Sequence, residues 1–332
     1  MRKNKVVLSG IALVFAASMA ACTTGSPTEP AAPGGTASGG GGKTSIAFIQ
    51  GVIGDNFYIS MECGVRDAAA KAGVDVSVQG PQKWDPALQQ PILTSVSATK
   101  PSAILIAPND VSALQRPLEE AAKTSKVVLV DTTVEDPSFA VSEISSDNFG
   151  GGAAAFEAIQ KLVPDGGQVL VIDNQPGIST SDARVKGFED AVKKDAKFEY
   201  VGVQYAKNQP AEAANIVTAT LQRYPDLKAI FATNIFSAEG AATGIEQAGA
   251  KDKVQVVGFD AGPAQVDALK DGTVQAIIAQ QPFQIGVQGV EQALAAIEGK
   301  PTEAKIQTGF TIVTQENLET EEGQKALYAS KC

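Results

Sequence analysis

The amino-acid sequence predicts an α/β protein with two lobes, each a parallel sheet flanked by helices. From residue 44 onward, short apolar segments alternate with helical segments, which is typical of parallel sheets covered by helices on both faces. The apolar segments are too many for one ordinary sheet, which usually has about four to six strands. The length of 332 residues also fits two domains, so we expect two sheets in two lobes.

Residues 1–21 predict an export signal. A basic head precedes an apolar run over residues 6–17, and small residues then lead into Cys22. The run is too short for a permanent transmembrane helix, and the pattern is that of a signal peptide. The segment from Met19 to Cys22 resembles a lipobox, at which bacterial lipoproteins are cleaved and lipidated, although Met19 replaces the usual Leu. We predict lipidation of Cys22, with plain secretion as the alternative.

Residues 22–43 predict a flexible tether, because they are rich in Gly, Pro, Ser and Thr and cannot bury a core. A random coil of this length reaches roughly 25 Å, enough to hold a domain clear of a membrane. The protein is therefore expected outside the cytoplasm, lipid-anchored to the cell membrane or free in the periplasm.

Composition and charge exclude several classes of function. The net charge of −10 argues against nucleic-acid binding, because phosphate contacts need Lys and Arg. The chain has no histidine, which removes a Ser-His-Asp arrangement and the commonest zinc ligand. Nothing in the sequence positions a nucleophile beside a base, so we expect a protein that is not an enzyme. We predict neither a cofactor nor a metal site.

The first half of the alternation contains short, apolar strand segments, as expected for strands buried in a parallel sheet. Its segments are, in order, strand 44–50, helix 57–72, strand 75–79, helix 86–99, strand 103–107, helix 112–124, strand 127–131 and strand 141–145. The seam between the lobes is expected near residues 142–147.

The second half repeats the pattern and contains the most distinctive strand, residues 254–260. Its segments are helix 149–163, strand 168–172, helix 182–194, strand 198–204, helix 211–223, strand 229–233, helix 238–248, strand 254–260 and strand 276–279. Strand 254–260 stops abruptly at Asp260, and ligands of open α/β sheets bind outside the carboxyl ends of strands. The alternative is that Asp260 only caps a helix starting near Pro263.

Carboxylates and amides follow several predicted strands, and an aromatic pair follows the first. The polar residues are Asp55, Asp131, Asn234, Asp260 and Gln280, and the aromatic residues are Phe57 and Tyr58. Carboxylates accept hydrogen bonds from neighbouring hydroxyls, whereas amides both donate and accept. Aromatic faces cover the C–H side of a sugar ring in pockets that are otherwise apolar. The pattern therefore predicts a site for a small hydroxyl-rich ligand.

At these residues the chain resembles the sugar-type periplasmic binding proteins, the ribose-binding-like substrate-binding components of ABC transporters. The similarity extends from about residue 44 to residue 313 and rests on five short motifs in the family's order. The motifs are residues 46–50 with Asp55-Asn-Phe-Tyr58, Ser145-Ser-Asp-Asn148, Arg184-Val-Lys-Gly-Phe188, Val257-Gly-Phe-Asp260 and Ala279-Gln-Gln-Pro282. Each motif is weak alone, but five in the right order are specific together.

The resemblance implies a type I periplasmic binding protein fold, with two Rossmann-like lobes joined by a three-strand hinge. It places residues 44–144 and 281–310 in the N-terminal lobe, and 145–280 and 311–332 in the C-terminal lobe and tail. It implies a monomer that closes around a small sugar or polyol and docks on an ABC transporter permease. A lipoprotein of the same fold that reports a sugar to a receptor, without transport, is the alternative.

The resemblance also implies roles for individual residues. Phe57 and Tyr58 would stack on the ligand. Its hydroxyls would bond to Asp131, Arg184, Asn234, Asp260 and Gln280. Three further positions depart from the family pattern: Asp55 replaces an Asn, Thr132 replaces an Arg, and Asn208 stands near a family Phe. Losing one guanidinium removes up to five donors, so another pentose, a polyol or a related small sugar is as open as ribose.

Three assignments have simpler alternatives. Arg184 lies near a predicted helix start and could form only a surface ion pair. Phe57 and Tyr58 could belong to the hydrophobic core. Trp84, the only tryptophan, is as consistent with anchoring a loop as with covering the mouth of the cleft.

The three cysteines predict one disulfide. A lipidated Cys22 leaves Cys63 and Cys332, and an even remainder outside the cytoplasm favours pairing. We predict that the pair holds the terminal segment, residues 315–331, on the first lobe. Two unpaired cysteines are the alternative.

Overall fold

The structure, a computed structural model, describes residues 44–332. The predicted export signal, the lipidation site Cys22 and the tether lie outside the described residues. The described part contains two six-stranded sheets, each flanked by helices. Within residues 44–332, no helix combines the length and the apolar character needed to cross a membrane.

The first sheet is entirely parallel and has the spatial order β11-β5-β4-β3-β1-β2. Its strands are β1 (Ser45–Ile49), β2 (Asp75–Gln79), β3 (Ala103–Ile106), β4 (Lys126–Val130), β5 (Ser142–Ser146) and β11 (Lys305–Thr308). The interior strands β1, β3 and β4 are nearly continuous apolar runs, because both faces of a covered parallel sheet are buried. The edge strand β2 alternates between exposed and half-buried residues.

The second sheet has the matching order β12-β10-β9-β8-β6-β7. Its strands are β6 (Gly167–Asp173), β7 (Phe198–Tyr205), β8 (Leu227–Ala232), β9 (Gln255–Phe259), β10 (Ala276–Ala279) and β12 (Thr311–Thr314). All are parallel except β12, which pairs antiparallel with β10. Each strand therefore has a counterpart in the first sheet, so that β4 corresponds to β9 and β1 to β6.

The described residues form ten α-helices, nine of which connect strands, while α10 follows the last strand. They are α1 (Asn56–Ala72), α2 (Pro86–Ala98), α3 (Gln115–Ala122), α4 (Asn148–Leu162), α5 (Ser179–Val192), α6 (Pro210–Arg223), α7 (Ile235–Gln247), α8 (Pro263–Asp271), α9 (Pro282–Ile297) and α10 (Glu321–Lys325). Several begin at a polar cap that the sequence supplies: Asp55 caps α1, Asp147 caps α4 and Asn234 caps α7. Helix α8 begins after Gly262, so Asp260 does not cap it.

The chain crosses between the two sheets three times: after β5, after β10 and between β11 and β12. The first crossing brings α4 onto the second sheet, and the second returns α9 to the first. The predicted fold class, two α/β lobes with three connections, is confirmed. The predicted lobe boundary at residue 145 falls inside β5, because Ser145 and Ser146 pair with β11 in the first sheet.

Equivalent glycines let two helix pairs approach closely. A Cβ atom added at Gly64 of α1 would lie 2.0 Å from the carbonyl oxygen of Phe283 in α9. A Cβ atom at Gly187 of α5 would lie 2.0 Å from the carbonyl oxygen of Phe149 in α4. Real Cβ atoms do not approach backbone oxygens this closely, so glycine sets the spacing of both pairs. The second pair also bears on a residue predicted to bind the ligand, because α5 carries Arg184.

Cys63 of α1 forms a disulfide with Cys332, the last residue. The predicted pairing is therefore present in the structure. It joins residues separated by 269 positions.

Candidate functional site

A cavity of about 420 Å³, counted with its opening to solvent, lies between the carboxyl ends of the two sheets. Its lining residues are Asp55, Phe57, Tyr58, Trp84, Asp131, Asn174, Ile178, Thr180, Ser181, Arg184, Asn208, Asn234, Asp260 and Gln280. Nine of the ten predicted ligand-binding residues are among them; Thr132 is not. The cavity therefore brings together polar side chains from both halves of the molecule.

Asp131 and Asp260 occupy equivalent positions, one residue after β4 and one after β9. Both have a left-handed backbone, with φ of 65° and 79°. The amide of Asp131 donates to the Ile144 carbonyl at 2.8 Å, and the amide of Asp260 donates to the Ile278 carbonyl at 2.9 Å. Each strand thus keeps its ladder hydrogen bond up to the aspartate and turns there. This conformation is uncommon outside glycine, and strained residues of this kind cluster at ligand sites.

Arg184 is 4% exposed and is not part of a surface ion pair. Its Nε donates to Asn148 Oδ1 at 2.9 Å, and its Nη1 donates to the Thr233 carbonyl at 2.8 Å. The guanidinium carbon lies 3.9 Å from the centroid of the Phe259 ring. These contacts fix the plane of the guanidinium, and its remaining N–H groups can donate into the cavity.

The two equivalent aspartates each use one carboxylate oxygen within the protein. Tyr58 donates its hydroxyl to Asp131 Oδ2 at 2.6 Å. Asp260 Oδ1 accepts from Gln280 Nε2 at 2.5 Å and from the Tyr328 hydroxyl at 3.0 Å. The other oxygen of each carboxylate can accept from a ligand.

The carboxylates of the cavity all have raised pKa values. Burial raises the pKa of Asp131 to about 6, against the opposing effect of the Arg184 charge. Burial also raises the pKa of Asp260, and Arg184 again opposes the shift. Asp55 is half-buried, and burial and the Asp260 charge together raise its pKa to about 8, although the Phe57 amide opposes this. At neutral pH Asp55 is therefore mainly protonated and can donate a hydrogen bond.

Three aromatic side chains form one wall of the cavity. The Phe57 and Tyr58 rings meet edge to face, with centroids 5.2 Å apart. Trp84 stacks on Tyr58 at 6.2 Å and donates its Nε1 hydrogen to the Asn109 carbonyl at 2.9 Å. Phe57 and Tyr58 belong both to the core and to the cavity, and Trp84 anchors its loop while also lining the site.

The second half contributes two linked amides. Asn234 Oδ1 caps α7 by accepting from the Ser237 amide at 2.9 Å. Its Nδ2 donates to Asn208 Oδ1 at 2.6 Å, which leaves the amide nitrogen of Asn208 free to donate. Asn208 has a left-handed backbone with φ of 55°, which asparagine adopts more readily than most residues.

Asn174, Thr180 and Ser181 also line the cavity, and the sequence analysis missed them. Asn174 Oδ1 and Gln280 Oε1 are buried and have no hydrogen-bond partner among the described residues. Buried polar atoms are rarely left unpaired, so these two atoms are candidate partners for a polar ligand. Asn174 directly follows β6, so the strand-end rule that found Asp131 applies to it as well. Ser181 lies within α5 and carries no such signal.

Thr132 is buried outside the cavity. Its hydroxyl donates to the Pro108 carbonyl at 2.8 Å, so it stabilises the backbone of the first half. The side chain next to Asp131 therefore points away from the site, and its predicted contact with a ligand has no support in this arrangement.

Comparisons with known proteins agree with this geometry. The family model described as "Periplasmic binding protein domain" matches residues 46–301. The ribose import binding protein of Salmonella typhimurium is 31% identical over 274 residues, which cover 82% of this chain and 92% of that protein. The D-allose-binding periplasmic protein of Escherichia coli is 29% identical over 254 residues, covering 74% of this chain and 82% of that protein.

Solved structures are similar over most of the chain. An ABC transporter solute binding protein from Agrobacterium vitis, bound with α-D-tagatopyranose, is 38% identical with a TM-score of 0.85, covering 86% of this chain and 100% of that one. A carbohydrate transporter solute binding protein from Agrobacterium radiobacter, in complex with D-arabinose, is 30% identical with a TM-score of 0.82, covering 86% and 99%. The chain therefore belongs to the sugar-type periplasmic binding proteins, a family of solute-binding transport proteins and not of enzymes.

Proposed function

We propose that this protein is an extracytoplasmic lipoprotein that captures a small sugar or polyol and delivers it to an ABC permease. The observation that carries the proposal is the cavity, where oriented polar groups from both halves face one another. In this proposal the export signal is removed, Cys22 is lipidated, and the folded part acts as a monomer at the membrane surface.

The free hydrogen-bonding groups of the cavity favour a neutral ligand with several hydroxyls. One oxygen each of Asp131 and Asp260 can accept, the Arg184 guanidinium and the Asn208 amide can donate, and a hydroxyl does both. A hydrogen bond to a charged group contributes about 1.5–3 kcal/mol. Four or five such bonds are enough for micromolar binding, near −8 kcal/mol, after the costs of association.

The ligand class is a pentose, a small hexose or a polyol. Relatives named for ribose and allose, and similar structures with bound tagatose and arabinose, support this range. A ribose assignment would depend on the family's residues at the positions of Thr132 and Asn208, and this chain has different residues there. Ribose is therefore one candidate among several.

A thermal-shift screen against pentoses, hexoses and polyols tests the proposal. A ligand at 100 times its dissociation constant stabilises the folded state by about 2.7 kcal/mol. The same sugar should not shift Arg184→Met, because that variant lacks the central donor. Lys186→Met, on the exposed face of the same helix, is the matched control and should respond like the parent protein. Absence of a shift with every member of the panel contradicts the proposal.

Uptake measurements separate transport from sensing. A strain lacking this protein should lose high-affinity uptake of the identified sugar and regain it when the gene is restored. Normal uptake, together with a lost transcriptional response to the sugar, supports the sensing lipoprotein instead.

A further inference from the structure

The C-terminal tail, residues 328–332, contacts the binding site from outside the cavity. Tyr328 is buried, and its hydroxyl donates to Asp260 Oδ1 at 3.0 Å. The same hydroxyl accepts from the backbone amide of Gln280 at 2.9 Å. The amide of Tyr328 donates to the Ala261 carbonyl at 3.0 Å. One side chain beyond the last strand therefore bonds to two residues that line the cavity.

These contacts determine which oxygen of Asp260 is available. Asp260 Oδ1 accepts from both Gln280 Nε2 and the Tyr328 hydroxyl, so the carboxylate cannot rotate without losing two hydrogen bonds. The carboxylate also accepts from the Ile235 amide. Its Oδ2 accepts from no side chain of the described residues and can bond to a ligand. Tyr328 thus acts on the site through Asp260 and Gln280 and is not among the residues that line the cavity.

The rest of the tail is attached to the first half of the molecule. The Ala329 amide donates to Ser60 Oγ at 2.7 Å, and Asn56 Nδ2 donates to the Ala329 carbonyl at 3.1 Å. The disulfide then joins Cys332 to Cys63 on the same helix, α1. All three attachment points lie on α1.

The tail consequently spans the two halves over a very short distance. Tyr328 bonds to the segment after β9, and Cys332, four residues later, is covalently bound to α1. Four extended residues reach at most about 14 Å. The disulfide therefore adds a covalent connection between the halves to the three crossings of the chain, and it holds the tail beside Asp260.

We propose that the C-terminal tail is part of the binding machinery: Tyr328 positions Asp260 and Gln280, and the Cys63–Cys332 disulfide keeps Tyr328 in place. The expected effect on affinity rests on the proposed function, sugar binding at this cavity. The expected effect on the position of the tail does not depend on that function.

Replacement of the tyrosine hydroxyl tests the positioning role. Tyr328→Phe keeps the ring and its contact with Phe57, whose centroid lies 6.0 Å away. We expect sugar affinity to fall about tenfold with little change in melting temperature. The matched control is Tyr205→Phe, on an edge strand of the second sheet, which should bind like the parent protein. Unchanged affinity in Tyr328→Phe overturns the proposal.

The pH dependence of binding distinguishes positioning from general destabilisation. Asp260 is faced by Tyr328, Arg184, Asp131 and Asp55, and the Tyr328 hydroxyl is one of the groups that lower its pKa. In Tyr328→Phe the pKa of Asp260 rises, so sugar affinity should begin to fall at a higher pH during acidification. A variant that is only less stable keeps the parent profile.

The double variant Cys63→Ser/Cys332→Ser tests the disulfide. We expect weaker sugar binding than in the parent, in the same direction as Tyr328→Phe and no larger. Combining all three substitutions should add little to either effect, because both act through the position of Tyr328. Fully additive losses contradict the proposed link.

Hydrogen exchange of the sugar-free protein gives a readout that does not depend on the ligand. The Gln280 amide, which donates to Tyr328, should exchange at least tenfold faster in Tyr328→Phe and in the double cysteine variant. If the parent binds no sugar but this exchange accelerates, the proposed function fails while the tail's positioning role stands. Unchanged exchange in both variants overturns the inference whatever the parent binds.

Discussion

Asp131 and Asp260 are the residues on which the site depends most. They are equivalent in the two halves, each adopts a left-handed backbone, and each uses one oxygen inside the protein. A left-handed conformation costs a non-glycine residue roughly 1–2 kcal/mol. The surrounding ladder hydrogen bonds offset this cost in both halves, and the carboxylates are thereby directed into the cavity.

Removing one of these charges should weaken binding strongly. We expect Asp131→Asn to lower sugar affinity 10- to 100-fold, because a hydrogen bond to a charged group is worth about 1.5–3 kcal/mol. Asparagine tolerates the left-handed backbone, so the melting temperature should change little. Calorimetric titration with the identified sugar measures the loss. Asp136→Asn, at an exposed loop position, should bind normally; an Asp131→Asn protein that does the same refutes the assignment.

The raised pKa of Asp55 predicts a pH-dependent stability. Its folded pKa is about 8 against an ordinary value of 3.8. Between pH 3.8 and about pH 8, Asp55 binds a proton more often in the folded state than in the unfolded state. The contribution of Asp55 to the free energy of unfolding therefore falls as pH rises from about 4 to 8.

Asp55→Asn should remove this dependence, because asparagine does not ionise and still caps α1. At pH 8.5 the sugar-free variant should unfold at a higher temperature than the parent. A gain of 1 kcal/mol in the free energy of unfolding raises the melting temperature by about 2–4 °C, and we expect at least this shift. Near pH 4 the two proteins should melt together. Thermal melts across this range decide the matter, and a constant difference at every pH contradicts the assigned pKa.

The sequence predicted the residues whose position follows from the sheet. Asp131 and Asp260 end apolar strands, and parallel strands end at a common edge. Ser181 and Tyr328 were not predicted. Their positions near the site depend on how helix α5 and the C-terminal tail pack against this edge of the sheet. Tyr328 lies 48 positions from the amide that it binds, and no local pattern specifies such a contact. Thr132 was predicted to contact the ligand because it follows Asp131, but its side chain points into the first half.

At the scale of elements, the helix pair α4 and α5 positions Arg184, the proposed ligand-binding arginine. Gly187 permits the close approach of the two helices, since a Cβ atom there would lie 2.0 Å from the Phe149 carbonyl oxygen. Arg184 lies one turn earlier in α5 and bonds to Asn148, the first residue of α4. The spacing of the pair therefore sets the depth of the guanidinium in the cavity.

Gly187→Ala should separate this pair. Overpacking of this kind typically costs 1–3 kcal/mol, and a shift of α5 should also lower sugar affinity at least tenfold by displacing Arg184. Denaturant unfolding and titration measure the two effects. Gly309→Ala is the stability control, because a Cβ atom at Gly309 meets nothing within 4 Å. A Gly187→Ala protein of parental stability would show that the helices can separate freely.

Most elements could be predicted from hydrophobic pattern, but the polar edge strand β11 could not. The strands β1, β3, β4, β8, β9 and β10 are apolar runs that stand out in the sequence. Strand β11 is a four-residue edge strand of mainly polar residues. It exists because the chain returns to pair with β5, which is a tertiary cause that its own sequence does not display.

At the scale of the whole molecule, the disulfide closes a loop between residues 269 positions apart. Loop-closure entropy gives an upper figure of roughly 5 kcal/mol for a loop of this size. Cys63→Ser/Cys332→Ser should therefore lower the free energy of unfolding by about 2–5 kcal/mol. Thiol titration of the unfolded, unreduced parent is the control. Free thiols from both Cys63 and Cys332 would contradict this prediction.

Because both halves line the cavity, we expect the protein to change shape when it binds a ligand. The polar groups that line the cavity come from both sheets, so a sugar that bonds to Asp131 and Asp260 at once stabilises the form in which they lie close. Among the described residues that line the cavity, Arg184 is the one cation beside Asp131 and Asp260. In the sugar-free protein, repulsion between these two carboxylates therefore favours separation of the halves. Hinge closure is the general response of two-lobed binding proteins to such a ligand.

Small-angle scattering measures this directly, because closure reduces the radius of gyration. We expect a smaller radius at saturating sugar than without it. Asp131→Asn at the same sugar concentration should remain as open as the sugar-free parent. An identical radius with and without sugar, in a protein shown by titration to be saturated, would mean that the cavity fills without any movement of the halves.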